Sequence, residues 1–236
     1  MPFDPAVPRE RRRTAGAPRR RSRGRRDEDG GAGRFYLYVE GPRDGEILRV
    51  WARRLSPVLA RPLERCTVIL GGRRPARAVE HFRDAGGGTG TVRGLVVLDR
   101  DHHGDAVRDQ VAEPGLELFT WGRRHIESYV LVREAIRRAV KRAAASAWVD
   151  RLIEGHVPHA ADEDAFRDID AKRLLGAKGE LARGLGHALS AATIARAMRP
   201  EELHEDVLDL YDRIRDGLGL AEAPFQVVRR STSRRP

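Results

Sequence analysis

Four carboxylates fall where the chain leaves two apolar runs. Glu40 follows FYLYV (residues 35–39), and Asp44 lies one helical turn later. Asp99 and Asp101 follow VRGLVVL, in the order Asp99-Arg100-Asp101. Side chains two apart on extended backbone point the same way, so Asp99 and Asp101 share a direction. Acids packed together repel and raise each other's pKa values unless a cation is present. Oxygen ligands without cysteine favour Mg²⁺ or Mn²⁺. Taken singly, an acid at a strand end also reads as a helix cap or turn residue, and at this point both readings stand.

The elements that must position these acids follow from the apolar pattern. The run at 35–39 is continuous, as in a parallel strand buried on both faces, and 67–70, 93–98 and 116–119 read as further short strands. Glu117 puts the fourth nearer an edge. Residues 43–60 carry a helical period, with Ile47, Leu48, Trp51, Leu55, Val58 and Leu59 on one side. Pro75 marks the start of a helix over about 75–84. The β-α-β-α-β order predicts an α/β fold, a Rossmann-like parallel sheet with helices on both faces. Ligands of such sheets bind outside the carboxyl ends of the strands. If the first and third strands are neighbours, Glu40 meets the Asp pair there. Beyond residue 125 the chain reads as helical, with helices at 128–149, 162–175, 178–190, 192–198 and 200–218.

FYLYVEGPRDGEIL, LVVLDRDHHGD and RRHIESYVL, in that order, resemble the TOPRIM domain. The resemblance is strongest to the nuclease domain of the overcoming-lysogenization-defect (OLD) family and its stand-alone relatives. It covers residues 35–135, and more loosely to about 215. The matching positions are Glu40 and Asp44, Asp99 and Asp101, and Glu127 with Tyr129. Gly45 departs from the polar or basic residue usual there. Lys172, in Asp170-Ala171-Lys172-Arg173-Leu174-Leu175, falls where relatives carry G-K-x-L-L, and Lys178 competes with it. The resemblance implies metal-dependent hydrolysis of a nucleic-acid phosphodiester, DNA before RNA, with two Mg²⁺ or Mn²⁺ ions about 4 Å apart. Asp99 and Asp101 would serve one ion. Glu40, Asp44 and Glu127 would serve the other, or Glu40 would be a general base. Lys172 would stabilise charge on the phosphate. Arg123 and Arg124 read as phosphate contacts or as surface arginines. His102, His103 and His125 read as loop histidines more readily than as ligands, and Trp121 and Tyr129 as core. The resemblance further implies a separately encoded ABC/AAA-type ATPase as partner.

Of the formal charge of +10, +5 lies in residues 1–33 and +4 in 229–236, which leaves the body at +1. The predicted organisation is a disordered Arg-rich arm (1–33), a TOPRIM-like core (34–135), a helical extension packing on it (136–220) and a basic tail (221–236). Arg19, Arg20 and Arg21 in PRRRSRGRR suit an electrostatic grip on nucleic-acid phosphates. A solubilising tail in a chain with 42 Arg and 3 Lys reads equally well.

The single cysteine, Cys66, excludes a disulfide framework and a cysteine zinc finger, and fits a reducing cytoplasm. No apolar run approaches a membrane span. G-x-x-x-x-G-K-[ST] is absent, so this chain contains no P-loop ATPase. The length is short for a type IA topoisomerase or a primase. Two other classes remain: a non-catalytic module binding nucleic acid or a partner, acting with a separate ATPase, and a receiver-type phosphoryl domain. The helical half is too long for the latter.

Overall fold

The four predicted strands form one parallel sheet. The computed structural model describes residues 34–100, 110–140 and 147–220. The strands are β1 (Arg34–Val39), β2 (Thr67–Ile69), β3 (Val92–Leu98) and β4 (Leu116–Thr120), in the order β2-β1-β3-β4. All three pairings are parallel. Along β1, Phe35, Leu37 and Val39 face one core, and Tyr38 faces the other. Leu95 and Val97 of β3 join the first core, and Val96 and Leu98 the second. β1 and β3 are central and covered on both sides, so their continuous apolar runs follow from burial.

Helices α1 (Pro42–Leu55) and α2 (Pro57–Cys66) join β1 to β2. The single helix expected over 43–60 is interrupted at Ser56, which is extended with φ −157°. Pro57 explains this: the residue before proline is pushed out of the helical region, and Pro57 then opens α2. Helix α3 (Pro75–Asp84) covers the second face with Ala78, Val79 and Phe82. Gly94 lets β3 approach it, because a Cβ there would lie 2.6 Å from Leu116 and 3.2 Å from Phe82.

The helix expected over 128–149 is not one helix. Ile126–Val130 forms a 3₁₀ turn, α4 is Arg133–Ala139, and α5 is Ala147–His156. All five residues of the 3₁₀ turn are buried, so it has no solvent face to sustain a longer amphipathic helix there. Val132 N–H then bonds Val130 C=O at 2.7 Å, a γ-turn that breaks the ladder.

The expected 162–175 helix is also split, into α6 (Glu163–Asp168) and α7 (Ala171–Leu175). Asp162 and Asp170 cap them, accepting from Ala165 N and Arg173 N at 3.0 and 2.9 Å. Helix α8 (Glu180–Leu185) ends at Gly186, whose φ of 74° is left-handed. Helix α9 (Ala191–Ala197) packs on α1 and α4. A 3₁₀ turn at Pro200–Glu202 precedes α10 (Glu205–Gly217), capped by His204.

These helices continue the first core rather than build another, since one apolar cluster runs from Phe35 to Ile214. Tyr211 of α10 donates to Leu48 C=O of α1. Helix α7 packs on the 3₁₀ turn at 126–130, which brings the helical half to the sheet's carboxyl end. Among the described residues no helix is long and apolar enough to cross a membrane.

Candidate active site

The register of β1 and β3 builds the centre of the site. Val39 pairs with Val97, so both strands end at one level. Glu40 Oε1 then accepts a hydrogen bond from Asp99 N at 2.8 Å, continuing the ladder through a side chain. Gly72, in the turn after β2, donates its N–H to Glu40 C=O at 2.8 Å. Asp44 sits in the first turn of α1, where the helix dipole favours an acid. Its Oδ2 accepts from Gly41 N at 2.8 Å and closes the turn. Beside it, a Cβ on Gly45 would meet Ile69 at 3.4 Å, so α1 packs closely on β2 there.

Asp99 is 7% exposed and fully engaged. Its Oδ1 accepts from Ile126 N at 3.2 Å, and its Oδ2 from Lys172 Nζ at 2.5 Å. Arg73 Nη1 donates to its carbonyl at 3.0 Å. Glu127, from the 3₁₀ turn, is 4% exposed. Its Oε2 has no hydrogen-bond partner and lies 3.9 Å from Lys172 Nζ. Asp170 caps α7, and two residues on Lys172 leans over both acids.

Charge in the cluster is unbalanced. Burial raises the Glu40 carboxyl, and the charges of Asp99 and Asp44 add to this. Burial lifts Asp44 to about 6 and Glu127 to about 7. For Lys172, burial works towards the neutral amine, but the Asp99 hydrogen bond and the charges of Asp99, Glu127 and Asp44 outweigh it and raise its pKa. The ammonium therefore persists at neutral pH. Burial, then the Lys172 charge, lowers the pKa of His125, and its Nδ1 is buried without a partner. Lys172 faces three of the acids, Asp99, Glu127 and Asp44, and Arg73 acts on Glu40, so acids outnumber cations in a partly desolvated cleft.

Glu40, Asp44, Asp99, Glu127 and Lys172 thus share one end of the sheet. Lys178 is exposed and enters none of these contacts. Asp101, His102, His103 and the arm residues Arg19, Arg20 and Arg21 lie outside the described residues. Arg123 departs from its expected role as a phosphate contact. It is 7% exposed, holds Glu163 through two bonds of 2.9 and 2.7 Å, and donates to Ser128 C=O at 3.1 Å. Its guanidinium also stacks on Phe166, 4.2 Å from the ring centre. Arg124 is exposed, with Asp170 at 3.9 Å. Trp121 and Tyr129 are core residues, and the Tyr129 hydroxyl bonds Arg123 N and Asp206.

Sequence reasoning missed the arginines that follow the strand ends. Arg43 follows β1, Arg73 and Arg74 follow β2, and Arg100 follows β3. The rule that places ligands at carboxyl ends could have found them, because each lies within a few residues of its strand.

The donor set suits a hard divalent cation: carboxylates only, with an unpartnered Glu127 oxygen among them. Glu40 and Asp44 each keep one oxygen outside the hydrogen bonds that orient them. Among the described residues, however, no three such side chains converge on one point, and Lys172 fills the space between Asp99 and Glu127. Compared with family models, curated proteins and solved structures, the chain finds no match.

Proposed function

We propose that this protein is a metal-dependent phosphodiesterase acting on nucleic acid, with DNA the foremost substrate. The observation that carries the reading is the gathering of acids at the carboxyl ends of β1 and β3, where Lys172 contacts Asp99 and Glu127 and Glu40 holds Asp99 N. A cluster with that surplus of acid attracts cations, and Arg73, after β2, donates to Asp99 C=O beside it. An acidic centre with an arginine beside it matches a metal-bridged phosphate better than a neutral ligand.

The chemistry supplied by two bound Mg²⁺ or Mn²⁺ ions is neutralisation of phosphate charge and activation of water. Glu40, Asp44, Asp99 and Glu127, with Asp101, are the residues that would hold them. Lys172 moves from Asp99 to a phosphate oxygen, where its ammonium stabilises charge as it develops. Its side chain is 42% exposed, which leaves it room to move. Glu40 is oriented by Asp99 N and serves as a ligand or as the base that accepts the proton of water. Arg124 and the arm arginines contribute salt-sensitive affinity.

A second reading is a nucleic-acid- or partner-binding module acting with a separate ATPase. The ion pair of Lys172 with Asp99 favours it, because a lysine that neutralises buried acids needs no metal.

Turnover separates the two. Supercoiled plasmid, single-stranded DNA and RNA are incubated with Mg²⁺ or Mn²⁺ and with wild type, Glu40→Ala or Asp99→Ala. Cleavage that requires the metal and is lost in both variants is the expected result. Binding without cleavage of any substrate moves the assignment to the module, and the ATPase is then the component to add.

A further inference from the structure

A cavity of about 310 Å³ opens beside the acid cluster, between α1, α7 and α9. Its charged lining is Arg43, Glu46, Glu127 and Lys172. Small side chains complete much of the wall, Ala177 and Ala188 among them. Glu127 supplies the inner end, and its Oε2 is a buried acceptor without a hydrogen-bond partner. Glu46 is paired with Arg196 at 2.7 Å. Arg43 has no ion-pair or hydrogen-bond partner among the described residues. The cavity therefore joins the lysine of the site at one end to an uncommitted cation at its rim.

Its size is at the low end for small-molecule pockets, which span roughly 300–1,000 Å³. That admits one nucleoside and excludes a duplex, whose bases stay stacked unless a nucleotide is extruded. Ile47 and Leu175 offer aliphatic surface for a base. The lining has no aromatic, Asn or Gln side chain, so it offers a base neither a stacking ring nor the side-chain amide that reads adenine.

We propose that this cavity is the subsite for a single unpaired nucleotide next to the scissile phosphate, with Arg43 on that nucleotide's outer phosphate. The inference rests on the phosphodiesterase reading and adds the substrate form: single strands, frayed ends or flaps. Arg43 is a specificity-determining residue here, because a second phosphate one nucleotide away distinguishes a polynucleotide from a small phosphodiester.

The test uses the full chain in Mg²⁺ and the exposed wall positions. Ala188→Trp and, independently, Ala177→Trp fill the cavity from its solvent side. Thymidine 5′-monophosphate is the binding probe, and methyl p-nitrophenyl phosphate is a turnover probe too small to need the subsite. Wild type binds the nucleotide, and either tryptophan weakens it by about tenfold or more. Single-stranded cleavage falls with it, while methyl p-nitrophenyl phosphate turnover is retained. Arg43→Ala raises KM for the single strand and leaves the small ester unchanged. Nucleotide binding that is absent from wild type, or unchanged in both tryptophan variants, overturns the subsite. Preference for blunt duplex over single strands overturns it as well. No turnover of any ester, with nucleotide binding that the tryptophans abolish, removes the phosphodiesterase reading and leaves the cavity as a nucleotide-binding pocket.

Discussion

Lys172 Nζ lies 2.5 Å from Asp99 Oδ2 and 3.9 Å from Glu127 Oε2, so one ammonium serves two acids that are themselves buried. The lysine comes from α7, and the acids come from the end of β3 and the 3₁₀ turn after β4. This contact ties the helical half of the chain to the mouth of the sheet. It also occupies the space that a divalent cation would compete for.

Replacing that ammonium leaves Asp99 and Glu127 unbalanced. Lys172→Met is expected to destabilise the fold by about 1–2 kcal/mol. Loss of one partner from a fully buried pair costs more, but solvent screens a lysine that is 42% exposed. Millimolar Mg²⁺ should raise Tm more in Lys172→Met than in wild type, since the cation no longer competes with the amine. Thermal unfolding with and without Mg²⁺ measures both effects. An equal Mg²⁺ response in the two proteins would show that cation and lysine do not share the site.

The carboxyls give the metal-free protein an inverted acid response. Burial raises Asp44 to about 6 and Glu127 to about 7, above their ordinary values of 3.8 and 4.5. The folded state therefore binds more protons than the unfolded chain across this window. Their contribution is fully present below about pH 4 and is lost as pH rises through about 7. Glu127 alone accounts for about 3 kcal/mol of this change at its full extent, at about 1.36 kcal/mol per pKa unit. In metal-free wild type these carboxyls favour the fold at about pH 5 over about pH 7.5, while His125, whose pKa burial lowers, acts the other way over the same window. Glu127→Gln should flatten the difference, and Mg²⁺ should stabilise more as pH rises, because it binds the ionised acids. A pH dependence in chelator that is the same in wild type and Glu127→Gln would show this carboxyl to be solvated.

The strands were readable because β1 and β3 are buried on both faces, and burial of that kind writes itself as an unbroken apolar run. That placed Glu40 and Asp99 at strand ends. Their contact needed one further fact, the β1–β3 pairing, which local pattern does not carry. Helix limits were less legible. Ile126–Val130 looks like the start of a long helix, yet it folds as a buried 3₁₀ turn under α7, a contact with residues more than forty positions away. The same range separates Arg123 from Arg124. Neighbouring arginines look alike until Glu163 and Phe166 arrive to bury the first. The cavity at Arg43 is formed by three helices distant in sequence, so no local motif announces it.

That arginine pair can be separated by two different measurements. Arg123 makes a two-pronged bond to Glu163, a bond to Ser128 C=O and a stacking contact with Phe166. Arg123→Ala is expected to cost about 2–4 kcal/mol of stability, because it strips buried partners as well as charge. Arg123→Lys should recover little, since an ammonium cannot reproduce the planar fork. Neither change should alter the salt dependence of DNA binding in the fraction that folds. Arg124→Ala should do the reverse: stability within about 0.5 kcal/mol of wild type, and weaker DNA binding. Replacing Arg19, Arg20 and Arg21 together with Ala should lower the slope of log K against log salt by about 2–3, at about 0.9 per lost phosphate contact, with unchanged unfolding. Denaturant titration and DNA binding across a salt series read out both axes. A lowered salt slope in Arg123→Lys at wild-type stability would return that residue to the nucleic-acid surface.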